Sequence, residues 1–214
     1  MKLKVWLITA GSVMFFSLVG RGAAISPQEI IEKVENTFYT QKTFYAVFQE
    51  KYIWELTGEE QVVKGELLLK GEDKFRISTE DQIIISDGMT LKTYNKLENQ
   101  VLIDNLETTD DDLLPSRILF KYKQKYNSQL LGTDDIQGKS CYEILFTPGE
   151  EDLFYKEVRI WVEKDRWIPR KIEQKSIDGN TTIYVLLEVT LGVSIKENDF
   201  ILATPPGVEV IDMR

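Results

Sequence analysis

Three acidic clusters are the densest groups of chemistry-bearing side chains: Asp110-Asp111-Asp112, Asp134-Asp135 and Glu150-Glu151-Asp152. Paired carboxylates can cleave glycosidic bonds, one as acid and one as base or nucleophile. These clusters sit among turn residues, where solvated loop charge is the plainer reading. None has the spaced Asp-x-Asp-x-Asp-Gly pattern of a calcium loop. The chain has no His, which excludes Ser-His-Asp and Cys-His catalysis and any His-ligated metal. Its single Cys, Cys141, excludes an internal disulfide and a thiolate zinc site. Cys141 lies in an apolar strand pattern and reads as a small core residue. No Gly-rich phosphate loop is present. The expectation is a protein that is not an enzyme and holds no cofactor or metal. A net charge of −9 argues against nucleic acid, whose phosphates need Lys and Arg.

The elements that position the remaining residues begin after an export signal. Lys2 and Lys4 precede an apolar run from Val5 to Val19, followed by Arg21-Gly22-Ala23-Ala24. A basic start, an apolar stretch short of the ~20 residues of a membrane span, and small residues at a cut site read as a secretory signal. Residues 1–24 are therefore expected to be removed, leaving 25–214 as one domain; an uncleaved anchor is the alternative. Loss of Lys2, Lys4 and Arg21 takes the charge from −9 to −12.

Ser26-Pro27-Gln28-Glu29 opens a helix with an N-cap, a Pro at the first position and a capping-box Glu. Ile30, Ile31, Val34 and Phe38 recur at helical spacing. Almost everything afterwards reads as strand. About ten or eleven short strands are expected between Phe44 and Leu191, joined by turns such as Gly71-Glu72-Asp73, Asp87-Gly88 and Asp178-Gly179-Asn180. Short links favour hairpins and an antiparallel sheet. The stretch from Thr108 to Tyr126, with Leu113, Leu114, Ile118 and Leu119 around Pro115, reads as two short helical pieces. Strand parity gives apolar rows: Phe75 and Ile77; Val158, Ile160 and Val162; and Ile183, Val185, Leu187, Val189 and Leu191. Trp161 falls on the polar parity of its strand, which predicts a half-exposed packing role. Tyr45 and Val47 alternate with Phe44 and Phe48, so the inner row of that strand stays undecided. A large sheet curls. With so little helix to cover it, the sheet either encloses an apolar hollow or fills it; periodicity alone leaves both open.

The order of motifs resembles the LolA family of periplasmic outer-membrane lipoprotein carriers. Phe44-Tyr45-Ala46-Val47-Phe48-Gln49 is similar to the family's Phe-x-x-x-Phe-x-Gln start, and Gly65-Glu66-Leu67-Leu68-Leu69-Lys70 to its Gly-x-Leu-x-x-Lys strand. Ser86-Asp87-Gly88 with Leu91 and Tyr94-Asn95, Pro115 to Phe120, Trp161 to Pro169, and Phe200 with Thr204-Pro205-Pro206-Gly207-Val208 continue the likeness. The resemblance implies a mainly β protein with some α: an incomplete antiparallel β-barrel covered by a short helical lid. It selects Phe44 and Phe48 as the inner row. The implied lipid-binding cavity is Phe44, Phe48, Tyr52, Leu67, Leu69, Phe75, Ile77, Val158 and Ile160, with Leu114, Ile118 and Leu119 on the lid. The implied cargo is lipoprotein acyl chains, received by a monomeric periplasmic carrier from an inner-membrane ABC transporter of the Lol type and passed to an outer-membrane acceptor. Two departures stand out. Gly71-Glu72 replaces an Arg-Pro whose Arg clasps lid carbonyls in the family, and Lys92 stands where Trp is typical. Strand parity places position 71 on the inner face, without a side chain to reach the lid. A carrier of another lipid, or a lipid-sensing regulator of the RseB type, is the alternative.

Overall fold

The computed structural model describes residues 25–107, 125–150 and 153–214; the expected signal, residues 1–24, lies outside them. Helix α1 spans Pro27–Gln41, and its N-terminus has the expected capping box: Ser26 accepts from the Glu29 backbone N–H while the Glu29 carboxylate accepts from Ser26. It ends where Lys42 turns left-handed at φ 59°. Ile30, Ile31 and Val34 are its buried stripe, each worth about 1.5–3 kcal/mol of apolar burial.

Among the described residues, twelve strands form one sheet. They are β1 (Thr43–Ile53), β2 (Glu60–Lys70), β3 (Lys74–Thr79), β4 (Gln82–Asp87), β5 (Thr90–Asn95), β6 (Gln100–Asn105), β7 (Tyr126–Ile136), β8 (Lys139–Pro148), β9 (Tyr155–Glu163), β10 (Pro169–Ser176), β11 (Thr181–Leu191) and β12 (Glu209–Asp212). The order is β12-β6-β5-β4-β3-β2-β1-β11-β10-β9-β8-β7. Two antiparallel meanders therefore join where β1 pairs with β11. The sheet is open, with β12 and β7 at its ends. The mainly β, non-closed antiparallel architecture expected from the sequence is thus present. The strand number is a correction: β12, a short Val-Ile strand beyond the Pro205-Pro206-Gly207 turn, adds to β6 in parallel. A four-residue strand offers too little alternation for sequence pattern to find.

Among the described residues, three apolar clusters form the core. The stripe of α1 packs on Tyr126, Ile144, Phe146, Val158, Ile160 and Val162 of β7 to β9. Phe44, Ala46, Leu69, Phe75, Leu91 and Leu106 form the second cluster, with Phe38 of α1 against it. The third lies on the opposite face, where Phe200 and Leu202 cover Ile85 and Val101. That strap is held by Glu197, which accepts from Lys70 and, at 2.8 Å, from Lys74.

One predicted placement changes, and Cys141 takes its expected place in the core. Trp161 is buried at 5% exposure, with the Lys171 ammonium 4.0 Å from its ring centre; a long cationic stem roofs the polar-parity position. Cys141 is fully buried and free, and burial, then the nearby Glu163 charge, push its thiol up. Among the described residues no helix is long and apolar enough to cross a membrane.

Candidate functional site

A cavity of ≈ 280 Å³ lies on the face that α1 covers. It is bounded by Phe38, Phe44, Phe48, Leu67, Leu69, Ile77, Ile84 and Leu186, with Glu50, Thr79, Gln82, Tyr184 and residues 169–172 around them. Its walls come from β4 on one side and β10 on the other. Five strand spacings of ~4.8 Å would hold those strands roughly 24 Å apart in a flat sheet, so the sheet must curl to bring them around one hollow.

Register explains which side chains reach it. Phe44, Ala46 and Phe48 of β1 stand opposite Leu69, Leu67 and Gly65 of β2, and Leu69 and Leu67 stand opposite Phe75 and Ile77 of β3. Phe48 lies across Gly65: a Cβ there would sit 2.7 Å from Phe48 Cζ and 2.8 Å from the Ser78 carbonyl oxygen. The glycine is thus the floor on which the aromatic ring rests. On β11 the pairing slips, from Val47 opposite Glu188 to Phe48 opposite Leu186. The extra residue, Leu187, forms a bulge, and a bulge reverses facing along the strand. Leu191 and Val189 face Phe44 and Ala46, but beyond the bulge Leu186 and Tyr184 line the hollow. The expected continuous row of Ile183, Val185 and Leu187 is therefore broken.

Of the residues expected in the cavity, Phe44, Phe48, Leu67, Leu69 and Ile77 line the hollow. Phe75 is fully buried in the adjoining cluster. Val158 and Ile160 lie beneath Ile30, Ile31 and Val34 of α1, which fills that half of the curved sheet. Tyr52 is not among the lining residues; it packs edge-on against Trp54 at 4.6 Å. The lid residues Leu114, Ile118 and Leu119 lie outside the described residues. Gly71 is not on the inner face: it is exposed in the β2–β3 turn at φ 67°, with its N–H donating to the Lys42 carbonyl at 2.8 Å.

Sequence reasoning missed Phe38, Ile84, Leu186, Tyr184 and Glu50. Phe38 was visible as the last residue of the helical stripe. Ile84 is hidden in the run Ile83-Ile84-Ile85, which has no parity. Glu50 follows Phe48 on the inner row by simple alternation. Burial holds its carboxyl above the usual carboxylate range, while a hydrogen bond with the Tyr184 hydroxyl pulls the other way. Arg170, also lining the hollow, is buried with Glu163, its Nε donating to Glu163 Oε2 at 2.7 Å.

The architecture is an open, mainly antiparallel β-sheet that holds an apolar hollow. A family model described as "Uncharacterized protein" matches residues 107–200. The chain is 21% identical over 192 residues to the uncharacterized protein MJ0687 of Methanocaldococcus jannaschii, covering 87% of this chain but 54% of that one; the chain thus spans about half that relative's length. It is 22% identical over 207 residues to an outer-membrane lipoprotein carrier protein of Actinobacillus pleuropneumoniae, covering 95% of this chain and 93% of that one. Among solved structures, an uncharacterized conserved protein from Thermus thermophilus superposes with TM-score 0.61 at 12% identity, covering 86% of this chain and 98% of that one. MucB, a protein also solved in complex with MucA of Pseudomonas aeruginosa, superposes with TM-score 0.54 at 14% identity, covering 86% of this chain and 64% of that one. The resemblance to the LolA family read from the motifs is thus present in sequence, at 22% identity to a lipoprotein carrier, and the structural likenesses show a shared fold.

Proposed function

We propose that this protein is an exported carrier that shields acyl chains, those of lipoproteins first, in the hollow beneath α1. The observation that carries the reading is the apolar space between Phe44, Phe48, Leu67, Ile77 and Leu186 on a curled sheet. Among the described residues, core-sized side chains surround it without filling it. The need is thermodynamic: at about 0.8 kcal/mol per buried CH₂, a ~16-carbon chain costs roughly 13 kcal/mol to leave in water. A carrier acting between membranes must hide that surface and give it up again. Transfer then depends on partners at each membrane: an ABC transporter of the Lol type as donor and an outer-membrane acceptor, with the carrier a periplasmic monomer that supplies no energy itself. The 22% identity to a lipoprotein carrier along nearly the full length supports this reading. The fold shared with MucB supports the second, a sensor that binds the same chemistry and reports it to a protein partner.

Mass spectrometry of material that co-purifies with the protein from the periplasm of a host expressing the full chain tests the proposal. A lipid-modified Cys peptide is the expected result. Free phospholipid would redirect the reading to another lipid, and an unliganded protein under non-denaturing extraction would contradict it.

A further inference from the structure

The hollow is not uniform along its length. Near α1 its rungs are apolar: Phe44 beside Leu69, then Leu67, Ile77 and Ile84 in register across β2 to β4. One rung on, Phe48 and Leu186 are joined by Thr79 and Gln82, which hydrogen-bond to each other. The next rung of β1 and β11 is Glu50 directly opposite Tyr184. From Phe44 to Glu50 is roughly 20 Å at ~3.4 Å per residue. An amphiphile in this space has one favourable direction: tail toward Phe38 and Phe44, head toward Glu50.

Charge then says what kind of head. The lining contains three charged residues among those described: Glu50, Arg170 and Lys171. The Arg170 guanidinium is committed to Glu163, both side chains being nearly inaccessible. The Lys171 ammonium lies over the Trp161 ring and pairs with Glu173 at 2.8 Å. Lys51, next to Glu50 in sequence, pairs with Glu60 at 2.7 Å. Glu50 has the Tyr184 hydroxyl as a partner but no cation among the described residues. A carboxylate partly withdrawn from water gains most from an incoming positive charge and is repelled by a like one.

We propose that Glu50, with Tyr184 beside it, is a head-group site that selects acyl-chain amphiphiles bearing a cationic amine. The inference rests on the hollow being an acyl-chain site and adds its polar specificity. Burial of the carboxyl supports it, since an ammonium restores the solvation that the hollow removes.

Direct calorimetric titration of the full chain near neutral pH with monomeric dodecylamine, dodecanol and dodecanoate separates the two levels. The expected result is amine binding at least about tenfold tighter than dodecanoate, a difference of about 1.4 kcal/mol. Glu50→Gln, with an unchanged circular dichroism spectrum, should bring the two within about threefold, and Tyr184→Phe should leave the preference for amine in place. Equal binding of amine and carboxylate in the wild type, or a preference that survives Glu50→Gln, would overturn the head-group site while leaving the acyl hollow standing. Failure of all three amphiphiles to bind would instead remove the carrier reading.

Discussion

An alanine at position 65 would place its methyl 2.7 Å from the Phe48 ring and 2.8 Å from a backbone carbonyl. The ring can swing, but the carbonyl cannot, so the strand must shift or Phe48 must leave its place over the hollow. Gly65→Ala is expected to cost about 1–3 kcal/mol, read as a lower urea midpoint, and to loosen acyl binding along with it. The buried pair makes a second prediction. Glu163 and Arg170 are 3% and 5% exposed, so Glu163→Gln strands a guanidinium and should destabilise by about 3–5 kcal/mol, whereas replacing both with apolar residues should recover most of that. Chemical denaturation of the single and double variants checks both. Parity made Phe44, Phe48, Leu67, Leu69 and Ile77 legible in advance. It could not distinguish Val158 and Ile160, which have the same pattern and face but lie under a helix. Alternation reports which side of the sheet a residue takes, not what stands above it.

Among elements, the strap from Ile195 to Val208 and β11 carry the instructive features. Glu197 ties the strap to β2 and β3 through Lys70 and Lys74, and those two ammonium groups pull its carboxyl down to about 2. Its folded value lies below its unfolded value of 4.5. Its contribution is therefore complete above that unfolded value and lost as pH falls through about 2. Glu50 has the opposite sign: its raised value means that acidification relieves a cost. The difference in urea midpoint between wild type and Glu197→Gln should accordingly be constant near neutral pH and shrink progressively as pH falls toward the folded value. A difference independent of pH would show that Glu197 does not hold the strap. Hairpins and α1 were legible because capping residues, turn glycines and alternating runs each mark local structure. The β11 bulge was not, because Ile183 to Leu191 alternates without a break in sequence; only pairing with β1 shows that Leu187 is extra and that Leu186 turns inward.

At the scale of the whole molecule, two meanders meet at β1 and β11 and curl around a space that α1 divides. One half is filled by the helix stripe against β7 to β9; the other keeps a hollow of ≈ 280 Å³. That volume is near the lower end of ligand sites. The fold class was legible from strand spacing and from the family motifs. The division of the sheet was not, because it depends on where a single helix lies. On the proposed function, this residual space receives an acyl chain. Leu67, half-buried in its wall, offers the most direct test. Leu67→Trp fills the hollow with indole while keeping its surface apolar. Titration of a fluorescent fatty-acyl probe into wild type and Leu67→Trp should show saturable binding in the first and at least about a tenfold loss in the second, with the unfolding midpoint preserved or raised. Equal affinity in both proteins would place any lipid elsewhere and contradict the account.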